Sequence, residues 1–178
     1  MTKIITKEVL EWVKTIAVSV VIAFGITLVV QPTIVDGQSM YPTLENKDYL
    51  FVNKLAYNKD IPERGDVLVF KSDLVNEKNN SKKNLVKRVI ALPGEQIVIK
   101  SNEVYINNQK LNESYLQGAT TDGDIDLVVP KNEVFTMGDN RGGSKDSRDS
   151  SIGTISIDNI VGKVAFRAFP FNKIGTID

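Results

Sequence analysis

Neither cysteine nor histidine occurs among the 178 residues. Without cysteine there is no disulfide, no thiol nucleophile and no thiolate metal site, and the redox compartment stays open because a thiol-free protein tolerates either. Without histidine there is no Ser-His-Asp triad, no Cys-His pair and no zinc site of the usual kind. Any nucleophile in this chain therefore needs another base. An excess of one charge is missing too. Lys plus Arg and Asp plus Glu balance at 22 each, so no net field draws the protein toward nucleic acid, and none is expected as a partner. Val, Ile and Leu are plentiful, enough for one sizeable core in a chain of this length.

Charge is also absent from one long stretch. No residue from Thr15 to Val35 is charged, and Thr15 to Val30 is almost wholly apolar. Crossing a hydrocarbon core takes about 20 such residues, so the stretch is just long enough. Lys3, Lys7 and Lys14 precede it against Glu8 and Glu11, and Trp12 stands where an interfacial anchor would sit. The positive-inside rule then puts residues 1–14 in the cytoplasm, a single span over 15–33 in the cell membrane, and 34–178 on the extracytoplasmic side, with the lipid bilayer as a partner. Two other readings are a buried core helix and a cleavable signal peptide. The second lacks a cleavage site, because the small-x-small triplet Ala23-Phe24-Gly25 lies inside the apolar run. A retained anchor is the expectation.

Beyond Pro32, which is read as the helix stop, the pattern changes to short β-prone runs broken by turn residues. Strands are expected over Tyr49–Asn53, Asp66–Lys71, Leu85–Leu92, Gln96–Lys100, Val104–Ile106, Leu127–Val129, Val134–Met137 and Val161–Ala168. The fold class is mainly β: a coiled mixed or antiparallel sheet behind one N-terminal transmembrane helix, with a small insertion around 95–130. Two alternating runs around Ser101-Asn102 read as a hairpin. Asn76–Asn84 and Gly118–Asp126 read as solvated loops.

Three islands of Gly, Ser, Pro and charge interrupt the apolar runs, in the kind of segment that carries function. They are Gly37–Leu44 (GQSMYPTL), Lys87–Glu95 (KRVIALPGE) and Gly138–Arg148 (GDNRGGSKDSR). The first sets the Ser39 hydroxyl beside a glycine and a rigid proline turn. In the second, period-two alternation puts Lys87 on the strand face shared with Leu85, Val89 and Ala91, with Arg88 pointing the other way. A lysine so desolvated loses affinity for its proton, and a fall in pKa from ~10.4 to ~7.5 corresponds to roughly 4 kcal/mol. A neutral amine can accept a hydroxyl proton. The plainer readings are a turn serine and a snorkelling lysine. In the third island Asp146 and Arg148 are spaced for a salt bridge within the loop, and Ser144 supplies a hydroxyl that could orient the Lys87 amine.

These islands resemble the motifs of the bacterial type I signal peptidases, in a Gram-positive-like form. Gly37–Leu44 is similar to that family's G-x-S-M-x-P-T-L box, Arg64-Gly65-Asp66-Val67 to its R-G-D-V box, Lys87–Glu95 to its K-R-x-x-x-x-P-G-[DE] box, and Gly138–Arg148 to its G-D-N-R-x-x-S-x-D-S-R box. All stand in the family's order. The resemblance implies a serine endopeptidase that removes signal peptides from secreted preproteins after small-x-small (Ala-x-Ala) sites, in transient proximity to the export translocon and without a cofactor or metal. It implies Ser39 as nucleophile, with its backbone N–H as an oxyanion donor, Lys87 as general base and Ser144 as the residue bonded to Lys87. Asp146 and Arg148 would be structural, and Val35, Met40, Leu44 and Val86 would line pockets for the substrate's −1 and −3 residues. The residue two before the nucleophile is Gly37, where many Gram-negative members carry a serine, so the second oxyanion donor is left to the Gly37 region.

Rival readings meet specific obstacles. A self-cleaving repressor shares the Ser/Lys logic but needs a DNA-binding region ahead of the catalytic part, and a penicillin-recognising enzyme needs S-x-x-K, whereas no serine here is followed by lysine at that spacing. A catalytically inactive membrane-anchored paralogue, acting as a binding or assembly module, is expected to have lost Ser39 or Lys87.

Overall fold

The computed structural model describes residues 2–75 and 80–177, and of residues 2–6 the backbone alone. Helix α1 (Thr2–Val29) carries an apolar run over Lys7–Val29 that is long enough to cross a membrane and is not buried against the rest of the chain. It ends at Val29, before the proline read as its stop. Strand β1 (Val30–Ile34) follows without a loop and pairs with β2 (Tyr49–Asn53), setting Pro32 opposite Phe51. Pro32 interrupts no helix. It lies in the outermost strand of its sheet, where a residue without an N–H forfeits no ladder bond.

Numbered in chain order, the remaining strands are β3 (Val67–Val75), β4 (Lys82–Ala91), β5 (Gln96–Lys100), β6 (Glu103–Ile106), β7 (Gln109–Lys110), β8 (Ile125–Val128), β9 (Glu133–Met137), β10 (Ile155–Ser156) and β11 (Ile160–Phe169). A seven-stranded sheet has the order β1-β2-β11-β3-β4-β9-β10, and a four-stranded sheet the order β7-β6-β5-β8. Every pairing is antiparallel. The fold is thus mainly β, as expected, and each expected strand forms with its ends shifted by at most a few residues. The β5–β6 hairpin turns at Ser101 and Asn102 with φ of 51° and 63°, the doubly left-handed turn that suits a two-residue connection.

One loop reading needs correction. Residues 76–79 lie outside the described residues, but Lys82 to Asn84 open β4, with Lys82 opposite Val75 and Asn84 opposite Lys71. Lysines there stay exposed in an extended ladder, so their hydrophilicity did not require a loop. Likewise β8 begins at Ile125, inside the second stretch read as a loop.

The central strands are covered on both faces. Val67 and Val69 of β3 join Val35, Met40, Leu44 and Val52 in one core, while Leu68 and Phe70 join Val89, Val134 and Ile155 in another. A third core lies under the small sheet, where Ile97, Ile99 and Val104 meet Ile90, Phe135 and Met137. Burial on both sides of β4 leaves Lys87 and Arg88 each only 2 % exposed.

Candidate active site

Ser39 sits in a compact turn just past β1. Gly37 opens it with φ of +104°, a backbone state that side chains other than hydrogen strain to reach, and gives its N–H to Asn46 Oδ1 at 3.0 Å. Tyr41 N–H bonds to Gln38 O at 3.1 Å and Leu44 N–H to Met40 O at 2.8 Å. Met40 and Leu44 plunge into the first core, which anchors the turn and leaves Ser39 half-buried at its rim. The turn is held from a second side by the 138–141 segment: Asn140 gives its N–H to Ser39 O at 3.1 Å and its Nδ2 to Gln38 O at 3.0 Å, and Thr43 Oγ1 gives a 2.5 Å bond to Asp139 Oδ2. Among the described residues, the N–H of Ser39 itself has no acceptor.

Lys87 reaches this turn from β4. Its Nζ lies 2.8 Å from Ser39 Oγ and 2.9 Å from Val86 O, and among the described residues no carboxylate pairs with it. Burial is the dominant influence and lowers its pKa from the ordinary lysine value to about 8. Asp146 and Asp139 pull it upward at longer range without cancelling that effect. The carbonyl and hydroxyl that Lys87 touches can take two of its three ammonium N–H groups but do not neutralise its charge.

The third island converges on the same point. Arg148 holds Asp146 through paired 2.9 Å bonds, and the same carboxylate accepts the Gly138 N–H at 2.9 Å. Burial would raise the Asp146 pKa, but Arg148 and the Gly138 N–H outweigh it and keep the carboxyl below its usual range. Gly138 passes so close to Ser144 Oγ and Ser39 O that a Cβ there would collide with both. The bond expected between Ser144 and Lys87 does not form. Among the described residues Ser144 Oγ is buried without a hydrogen-bond partner of normal geometry, near enough to Asp146 to help lower its pKa, while the Lys87 ammonium is turned to Ser39 and Val86.

A cleft of about 490 Å³ opens over the pair, walled by Gln38 and Ser39, by Lys83 and Leu85 of β4, and by Gly143 and Lys145. Val35, Met40, Leu44 and Val86 are brought together in the first core instead, behind the turn, with Met40 and Leu44 fully buried. Among the described residues no group of three carboxylates gathers closely enough to hold a metal ion.

The model of the family described as "Signal peptidase, peptidase S26" matches residues 9–169. The chain belongs to that family. It is 38% identical over 180 residues to signal peptidase I S of Bacillus subtilis (strain 168), covering 94% of this chain and 93% of that one. It is 37% identical over 186 residues to signal peptidase IB of Staphylococcus aureus (strain COL), with 94% and 93% covered. A solved signal peptidase I from Enterococcus faecalis aligns at a TM-score of 0.47 and 27% identity, covering 60% of this chain and 98% of its own. Membership of this peptidase family makes the chain a serine protease, and with its exposed apolar N-terminal helix it is a membrane-anchored one.

Sequence reading missed the residues that brace this peptidase site from behind. Arg88 points away from Lys87 but not into solvent. Its Nε and Nη2 bond Asp139 at 3.0 and 2.8 Å, its Nη1 bonds Gly65 O at 2.8 Å, and its guanidinium lies 4.2 Å from the Tyr115 ring. The available signal was the Lys87-Arg88 dipeptide in an apolar strand, since two successive cations there require one to be paired.

Proposed function

We propose that this protein cleaves signal peptides from exported preproteins after a small-x-small site, with Ser39 as nucleophile and Lys87 as general base. The observation that carries the proposal is the 2.8 Å contact between Ser39 Oγ and a buried lysine that pairs with no carboxylate among the described residues. With a pKa of about 8, roughly a tenth of Lys87 is neutral at pH 7. The neutral amine takes the Ser39 proton while Oγ attacks the carbonyl carbon of the −1 residue. The Ser39 N–H, without an acceptor among the described residues, faces the resulting oxyanion. The ammonium then protonates the leaving amine, releasing the mature protein and leaving an ester on Ser39. Water attacks the ester, giving one proton to Lys87, and Ser39 Oγ leaves and recovers that proton as the signal peptide departs.

Gly37 N–H is committed to Asn46, so Gly37 itself serves as a second oxyanion donor only by breaking that bond. A missing donor elsewhere costs roughly 3–4 kcal/mol of transition-state stabilisation. Ser144, whose buried hydroxyl has no hydrogen bond of normal geometry among the described residues, is the group we assign to orient the amine once Ser39 turns to substrate. Asp146 and Arg148 hold the loop, and Val35, Met40, Leu44 and Val86 form an apolar floor beneath the −1 and −3 side chains. In the proposed topology residues 1–14 are cytoplasmic, 15–33 span the bilayer and 34–178 are extracytoplasmic. The direct passage from α1 into β1 supports a site close to the membrane surface, within reach of substrates leaving the translocon. Purified protein in detergent, incubated with a preprotein, is expected to give a new N-terminus following an Ala-x-Ala sequence. Ser39→Ala and Lys87→Ala are expected to abolish this without loss of membrane insertion, and substantial cleavage by either variant contradicts the dyad.

A further inference from the structure

A buried polar cluster joins the four-stranded sheet to the back of the site. Glu113, just past β7, holds Arg141 through both oxygens, Oε2 to Nη1 at 3.0 Å and Oε1 to Nη2 at 2.5 Å, with Arg141 only 2 % exposed. Tyr115 donates its hydroxyl to Glu113 at 2.7 Å, and its ring lies 4.2 Å from the Arg88 guanidinium and 6.0 Å from that of Arg141. Thr121 accepts a bond from Arg141 Nη1. Each of these contacts comes from the segment between β7 and β8, which supplies no group to the cleft itself.

Arg141 in turn touches what holds the nucleophile. Its Nε bonds Gly138 O at 3.2 Å, and its own carbonyl accepts Arg148 Nη2 at 2.6 Å. Gly138 is packed against Ser39 O and Ser144 Oγ, and Asn140 next to Arg141 bonds both Gln38 O and Ser39 O. The path from the small sheet to Ser39 is therefore continuous: Glu113, Arg141, the 138–141 turn, the nucleophile turn. A bidentate fork is suited to this task, because it fixes the orientation of the guanidinium as well as its charge. The Arg88 and Arg141 charges are matched by Asp139 and Glu113, so the two pairs together add no net charge, although Asp139 itself pulls the Lys87 pKa upward.

We infer that Glu113 and Arg141 are positioning residues for the peptidase reaction, through which the four-stranded sheet sets the placement of the Ser39 turn. The inference rests on Ser39 being the nucleophile. A simple staple would hold the sheets together and change only stability, whereas a positioning pair must change the rate of the folded enzyme.

Arg141→Lys separates the two, since it keeps a cation for Glu113 but lacks the Nε–H that fixes Gly138. Glu113→Gln, which keeps shape and loses charge, is the second variant, and Ser39→Ala the control. The full-length protein in detergent is assayed for acylation by a covalent lactam inhibitor and for kcat and KM on a preprotein, at a temperature where circular dichroism shows each variant folded. A displacement of the reacting atoms by about 1 Å costs on the order of a hundredfold in rate, so a fall of roughly ten- to a hundredfold in kcat and acylation, with KM unchanged, is expected for both variants. Wild-type rates in folded Arg141→Lys and Glu113→Gln would overturn the inference while leaving the dyad intact. Equal labelling of wild type and Ser39→Ala would overturn the nucleophile assignment and this inference with it.

Discussion

Two neighbours on β4 carry buried cations and are treated in opposite ways. On one face Arg88 is matched by Asp139, by Gly65 O and by the Tyr115 ring, so its charge is fully compensated. On the other, Lys87, equally buried, meets only a hydroxyl and a carbonyl among the described residues. A saturated ion pair is inert, while an unpaired ammonium shielded by burial sheds its proton more readily and can act as a base. The difference teaches that the site is recognised by a charge left uncompensated beside one that is compensated in full. The guanidinium, always charged, suits the structural face and the titratable amine the chemical one.

The comparison breaks most severely if the paired face is disrupted. Asp139→Ala leaves Arg88 buried without its counter-ion, and a loss of about 3–5 kcal/mol in unfolding free energy is expected, measured by denaturant titration of the solubilised protein. Removing the unpaired cation should have the opposite sign. For Lys87 the folded pKa lies near 8 against an ordinary 10.5, so its charged form costs the folded state up to about 3 kcal/mol. Below pH 8 both states are protonated and the cost is present in full. Between about 8 and 10.5 the unfolded state binds more protons, so stability rises with pH and the cost disappears. Lys87→Met is therefore expected to be inactive yet more stable than wild type at pH 7, with the advantage fading by pH 10.5. A smaller effect is expected at Gly37. Its φ of +104° makes Gly37→Ser strained by about 1–2 kcal/mol, so the variant should lose thermal stability and gain no rate from its added hydroxyl.

Much of this contrast was legible in the sequence because it is local. Strand alternation separated Lys87 from Arg88, and the absence of histidine left an amine as a candidate base. The partners of Arg88 were not legible, since Asp139 lies 51 residues away and Tyr115 arrives from the β7–β8 connection. Strand β1 escaped notice because its proline reads as a helix stop, and only pairing with β2 shows it to be a sheet edge. The roles of Gly37 and Gly138 depend on a backbone angle and a close approach that composition does not encode. The orientation of Ser144 was missed for a related reason: adjacency in a motif says which residues meet, not which hydrogen bonds close.

The most direct test of an uncompensated lysine serving Ser39 is the pH dependence of Ser39 acylation by a lactam inhibitor. The rate is expected to rise with a midpoint near pH 8 and to vanish in Lys87→Met. A midpoint near the ordinary lysine value, or acylation that persists without Lys87, would contradict it.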